Sequence, residues 1–261
     1  MAPGSITDHI DLTESALVIF FLGFFATVWY LRRLDKREGY PMKASPFDDK
    51  PLLGYPVPPD PVTYKMHEGG ETVAPHLDRD PPSAAIPLYR FDGTPLTPTG
   101  NPLLSCLGPG AWVLRRDEPM RTEKGEVMLK PLRELEEWSV ARTDADPRGM
   151  TVFDRGWREI GTVYDIWVDR SIKILRLLEV ELKPGLGPAR VLVPIFHTHI
   201  REREREVRVT ALDSRQFADV PLPARDGELT AREDDRLNAY YAAGWFHRDT
   251  VPGDAPAEST R

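Results

Sequence analysis

The chain has 261 residues, 41% hydrophobic and 29% charged, enough for one moderate globular domain beside other segments. A net charge of −7 and a pI near 5.5 exclude a nucleic-acid binder drawn in by bulk charge. Cys106 is the only cysteine, so neither an internal disulfide nor a thiolate metal cluster can form. In chain order, the first element is an apolar run without a charged side chain from Ser15 to Leu31. At about 1.5 Å per residue, about 19 residues cover roughly 29 Å, the hydrocarbon thickness of a bilayer. Residues 12–31 are therefore predicted to be one transmembrane helix, because a lone spanning segment must satisfy its backbone internally.

Asp8, Asp11 and Glu14 precede this run, and Arg32, Arg33, Lys36 and Arg37 follow it. An acidic flank is wrong for a secretory leader, and no small-residue cleavage site follows. The cations read as a stop-transfer collar, which sets residues 1–11 outside and everything after Arg32 in the cytoplasm. Trp29 and Tyr30 fall where an aromatic belt meets the headgroups. Arg32, Arg33, Arg37, Glu38 and Tyr40 complete the expected membrane-interface and partner-contact set; the basic members either hold anionic lipid headgroups or serve only topology. Gly23 and Thr27, four apart, allow close approach of another helix or simply face lipid.

Residues 32–110 hold many of the 26 prolines, from Pro41 to Pro109, and are expected to be extended and turn-rich. Leu52, Leu53, Tyr55, Tyr64, Leu88, Tyr89 and Phe91 are too many apolar groups for a solvated tether. This segment reads as a strap laid over another protein surface, with partial disorder as the alternative.

Residues 111–246 change character. Thr162–Asp169 alternates, with Tyr164, Ile166 and Val168 expected inward and Asp165, Trp167 and Asp169 outward. Leu178, Val180 and Leu182 repeat the inward pattern, with Glu179 and Glu181 outward. Val191, Val193 and Ile195 form a third strand, and Val207, Val209 and Ala211 a fourth. The alternating charges of 201–206 require a turn, since a straight strand would sort all Arg to one face and all Glu to the other. Thr230 and Glu233 have capping-box spacing, Leu237, Tyr240 and Tyr241 make an apolar stripe, and Gly244 stands where a C-cap would be. The polar tail, 247–261, is expected to fray. The fold class is α+β, mainly β: one N-terminal transmembrane helix, a Pro-rich segment, an antiparallel β-barrel and a C-terminal helix.

His197 and His199 are the best metal candidates, since positions i and i+2 of a strand point the same way, but no third ligand is evident. Solvent-facing strand-end histidines are the competing reading. No phosphate loop, nucleophile elbow or HExxH motif is present, so no self-contained active site is expected.

Several blocks resemble the H subunit of purple-bacterial photosynthetic reaction centres. They are LRRLDKREGYP at 31–41, PTGNPL at 98–103, GPGAW at 108–112, KPLR at 130–133, DPRGM at 146–150, GTVYDIWVDRS at 161–171, LEVEL at 178–182, SRQFADVP at 214–221 and REDDRLNAYYAAG at 232–244. They are collinear, and the 150–221 section is also similar to a PRC-barrel. The resemblance implies a single-pass, non-enzymatic accessory subunit of the bacterial inner, photosynthetic membrane, with a periplasmic N-terminus. It implies L and M subunits as partners, with room for a cytochrome subunit and a light-harvesting antenna, membrane lipids and no nucleic acid. Bacteriochlorophyll, bacteriopheophytin, quinones and non-haem iron belong to those partners, and none is expected on this chain alone.

The implied roles are capping the cytoplasmic face of L and M, stabilising the complex, shielding the quinones and assisting proton delivery to the secondary quinone. Asp169, Arg176 and Asp117 match family positions on that proton route. Two departures are visible: Ile172 stands where the family usually has a glutamate, and Lys124 and Glu126 occupy the stretch where some members carry histidines. A membrane-tethered PRC-barrel adaptor outside photosynthesis is the alternative, and a metalloenzyme built on His197 and His199 a third.

Overall fold

The computed structural model describes residues 11–40, 42–45, 48–67, 69–75, 85–91 and 93–247. Nearly all of the expected external N-terminus and of the polar tail thus lie outside the described residues. Two compact units are present, one from Met1–Arg79 and Tyr89–Pro95, the other from Asp80–Leu88 and Leu96–Arg261.

In the first unit, helix α1 (Leu12–Asp35) has 24 residues and continues one turn past the apolar run. The Asp11 side chain caps it, accepting from the Glu14 amide at 2.7 Å. None of its residues is buried, which suits a helix whose surroundings are lipid and other chains rather than its own fold. Thr27 donates to the Gly23 carbonyl at 2.8 Å, so its hydroxyl is satisfied within the helix, as an apolar setting requires.

The proline-rich segment has more regular structure than the sequence suggests. β1 (Met42–Ser45) pairs with β2 (Asp48–Leu52), and β3 (Val62–Lys65) with β4 (Glu71–Ala74), both antiparallel. In the second unit, β5 (Ala85–Pro87) pairs with β6 (Leu96–Pro98). A two-stranded ribbon leaves each strand one unpaired edge, so a residue without an N–H is tolerated there.

The second unit also holds β7 (Leu129–Pro131), β8 (Thr151–Phe153), β9 (Glu159–Asp169), β10 (Ile174–Leu182), β11 (Arg190–Pro194), β12 (Thr198–Arg201) and β13 (Glu206–Val209). They form one sheet in the order β11-β10-β9-β8-β13-β12, with β7 on the far half of β9 beyond β8. The sheet is antiparallel as expected except for one pair, β13 with β8, which is parallel, and among the described residues no ladder closes it into a barrel. The turn expected inside 201–206 is present between β12 and β13.

The core lies between the sheet and helix α2 (Ala231–Phe246), around Val152, Ile160, Ile166, Leu178, Val193, Val207, Phe217 and Leu237. Each such side chain contributes about 1.5–3 kcal/mol by leaving water. Tyr240 and Tyr241 bury their rings and donate to the carbonyls of Gln216 (2.7 Å) and Leu192 (3.0 Å). Gly244 is not the C-cap; the helix runs on to Phe246, and Gly244 lies against Leu212 and the Ala211 carbonyl.

Strand alternation fails where charge is buried. Between Val163 and Asp165 the β9–β10 register slips, leaving Tyr164 as the extra residue and 42% exposed. Asp165, Trp167 and Asp169, expected outward, are all buried, and so is Glu179. Arg133 is the reason at two of them: it donates to Asp165 (3.2 Å), to Glu179 and to Asp226 (3.1 Å). Trp167 Nε1 also donates to Glu179 at 3.1 Å, and Arg190 stacks 3.5 Å from the Tyr164 ring centroid. Buried carboxylates persist only when paired in this way.

Candidate functional site

The first turn of α2 gathers the acidic side chains. Thr230 and Glu233 form the capping box, with the Thr230 amide donating to Glu233 at 2.9 Å and the Glu233 amide to the Thr230 hydroxyl at 3.2 Å. This fixes the helix start, so Asp234 falls three residues before Leu237 and seven before Tyr241, on the inward stripe. Its side chain is 10% exposed and pairs with Arg176 Nη2 at 3.1 Å. Arg176 Nη1 meets Asp169 at 3.5 Å, so one guanidinium bridges two buried carboxylates. The helix N-terminus adds partial positive charge beside Asp234.

Asp169 closes β9 and organises the turn to β10. Its Oδ1 accepts from the Ser171 amide (2.9 Å), the Ser171 hydroxyl (2.5 Å) and the Ile172 amide (3.4 Å). At Asp234, burial pushes the carboxyl above the usual aspartate range, while Arg176 and the Asn238 amide, 3.0 Å away, pull it down. A carboxyl raised by desolvation and paired with a fixed cation can take up and release a proton nearer to neutral pH.

Asp117 does not join Asp169 and Arg176. It accepts from the Thr230 hydroxyl (2.9 Å) and from Arg232 Nη1 (3.2 Å), tying the 113–118 stretch to the head of α2. Asp235 does the same through the Val113 amide (2.9 Å) and Arg115 (3.5 Å). Ile172 is 61% exposed and Ile174 41%, so an apolar tip stands next to Asp169. Glu126 pairs with Arg170 at 2.9 Å, and Lys124 lies exposed in the turn closed by the Gly125 amide on Thr122.

Of the membrane-interface candidates, Trp29 is 43% and Tyr30 54% exposed, and Arg33 lies 5.9 Å from the Trp29 ring centroid. Arg37 donates to the Tyr64 hydroxyl at 2.7 Å, and Glu38 is exposed. Tyr40 lies under the Lys36 ammonium, 4.7 Å from ring centroid to Nζ. Lys36, absent from the expected set, is the buried member of the collar.

His197 and His199 are not two positions of one strand. His197 ends a 3-10 turn at Ile195–His197 and stacks on Tyr241 at 5.9 Å, whereas His199 lies in β12 opposite Arg208. Pro194 initiates that turn and breaks the alternation on which the pairing rested. Burial lowers the His197 pKa. Among the described residues no group of three or more His, Cys, Asp or Glu has metal-binding geometry.

Sequence reasoning missed Asp234 and Asp235. Their signal was present: once the capping box fixes the register, an aspartate three residues before Leu237 must face the apolar stripe.

Among the described residues one helix is long and apolar enough to cross a bilayer, and it is followed by a β domain with a C-terminal helix. These features fit the class of single-pass membrane proteins that carry a β-rich domain after the anchor. Residues 4–134 match the family described as photosynthetic reaction centre, H-chain N-terminal region, and residues 140–216 match the PRC-barrel domain. The first match covers just over half of the chain, and the chain belongs to the reaction-centre H-chain family of the purple-bacterial type.

Proposed function

We propose that this chain is an accessory, not an enzyme, that caps the cytoplasmic face of the L and M subunits and stabilises their complex. It shields their quinones from solvent and assists proton delivery to the secondary quinone. The pigments, quinones and non-haem iron belong to those partners, and the basic collar after the apolar run supports a cytoplasmic position for the rest of the chain.

A doubly reduced quinone needs two protons from the aqueous phase, and they must pass through titratable groups within hydrogen-bond reach. The observation that carries this reading is Arg176 bridging Asp169 and Asp234. A proton taken up at Asp234 leaves Arg176 free to hold Asp169 alone; its release restores the bridge. Asp169 sits beside the exposed Ile172 and Ile174, an apolar tip suited to a protein partner. With Ile172 in place of the family glutamate, Asp234 and partner-chain carboxylates carry more of the transfer.

The test is flash-driven quinone reduction in the purified complex. Asp169→Asn and Asp234→Asn should each slow the second, proton-coupled electron transfer by about a hundredfold or more, the order expected for one acid–base group. The first, proton-independent transfer should be unchanged. Unaltered second-transfer rates and proton uptake in both variants would remove the role.

A further inference from the structure

In the second unit, β9, β10, β11 and the loop at 222–226 line a cavity of about 200 Å³. We propose that it is a binding site for a primary alkylammonium group on a stem of about four carbons. Trp167, Val191, Leu222 and Pro223 give the cavity apolar walls, and Glu179 and Asp226 bring carboxylates to it. It is smaller than the sites that hold drug-sized ligands, so its occupant is a group of side-chain size.

Glu179 is the wall that specifies the ligand. Its side chain is 5% exposed, and the strand register sets it directly opposite Asp165 of β9, a like-charged neighbour. Arg133 joins these two carboxylates and reaches Asp226, while Arg190 Nη1 stands 3.5 Å from Glu179 Oε1. The network thus sets three carboxylates (Asp165, Glu179, Asp226) against two guanidinium groups (Arg133, Arg190) and carries one surplus negative charge. The two oxygens of Glu179 are also unequal. Oε2 accepts from Arg133 and from Trp167 Nε1, the latter at 3.1 Å. Oε1 accepts no hydrogen bond among the described residues, and Arg190 is instead stacked 3.5 Å from the Tyr164 ring centroid. A buried carboxylate oxygen without a donor is costly.

What the cavity lacks is one positive charge that donates a hydrogen bond. A primary ammonium supplies both as a compact cation that one carboxylate oxygen can hold, and its stem lies against Trp167, Val191, Leu222 and Pro223. A guanidinium fork is built for two acceptor oxygens, and Oε2 is already occupied. A quaternary ammonium has no N–H to donate. A metal ion finds too few ligands, since among the described residues no group of three or more His, Cys, Asp or Glu has metal-binding geometry. Asp226, with its side chain 87% exposed, adds attraction at the mouth. Two sources carry this chemistry, the lysine side chain of a protein partner and a free alkylamine. The inference does not depend on the proton route.

Ligand-observed saturation-transfer NMR tests it on the full chain in nanodiscs, at constant ionic strength and with empty nanodiscs as the blank. The probes are n-butylammonium, 1-butanol and n-propylguanidinium. The wild type should bind butylammonium about tenfold more tightly than butanol, which has the same stem and no charge, the order of one charge-assisted hydrogen bond. It should also prefer butylammonium to propylguanidinium. Glu179→Gln keeps the shape of the wall and should erase the preference over butanol. Asp226→Asn should reduce that preference about threefold, as for a partly screened surface charge, and leave butanol binding unchanged. The wild-type comparison and Asp226→Asn stand even if Glu179→Gln folds poorly. Repeating the titration on the complex as purified from its membrane separates the two sources. Undiminished butylammonium binding there assigns the site to a free amine, and binding to the isolated chain but not to the complex assigns it to a partner's lysine. Butylammonium held no more tightly than butanol or propylguanidinium, or a preference unchanged in Asp226→Asn or in folded Glu179→Gln, would overturn the proposal.

Discussion

Arg176 holds two carboxylates that burial would otherwise penalise, so its removal exposes a cost that depends on pH. Asp234 has a folded pKa above the unfolded value of 3.8, because desolvation outweighs the pull of Arg176. The folded state therefore binds more protons than the unfolded one between those values, and this contribution is present below pH 3.8 and lost as pH rises through the folded value. Arg176→Met removes the largest opposing pull and leaves two buried acids without the guanidinium that pairs them, a loss of about 3–5 kcal/mol near neutral pH by analogy with other broken buried pairs. Urea unfolding of the full chain should show a smaller loss at pH 4 than at pH 7; a loss equal at both would mean that Arg176 acts through packing alone. Arg176 and Asp169 were legible as matched positions, but Asp234 was not, because an acidic residue near a helix start also reads as a solvated first-turn acid. Only its register against Leu237 and Tyr241 distinguishes the two.

At the scale of elements, local rules held where the chain obeys one period and failed where tertiary contacts impose another. The 201–206 hairpin follows from charge alternation alone, and the α2 start from its capping box. Strand β9 alternates in sequence, yet the slip at Tyr164 and the charge of Arg133 turn its supposed outer face into a second buried one. Nothing within β9 announces Arg133, which arrives from 32 residues earlier to reach Asp165. Gly244 shows the same conflict between local and tertiary demands. Alanine inside a helix gains up to about 1 kcal/mol over glycine. Here its Cβ would overlap the fully buried Leu212 side chain and stand 3.0 Å from the Ala211 carbonyl. Overpacking of this kind costs about 1–3 kcal/mol, so Gly244→Ala should lower the unfolding midpoint; a raised midpoint would mean that Leu212 can move aside.

For the whole molecule, the membrane anchor was the most legible part, because a charge-free run of bilayer length flanked by asymmetric charge has few other readings. The order of the motifs pointed to the family, and two consecutive matches along residues 4–216 bear that out. The parallel β8–β13 pair was not legible, since alternation sets which residues face inward but not which strands become neighbours. The central claim is that this chain serves a pigment-bearing partner complex, and the most direct measurement follows from it. The chain is purified gently from its native membranes, and the near-infrared absorption of the preparation is recorded with and without actinic light. The account predicts co-purifying bacteriochlorophyll with light-induced bleaching, whereas a colourless protein without pigment-binding partners would contradict it and leave a membrane-tethered adaptor.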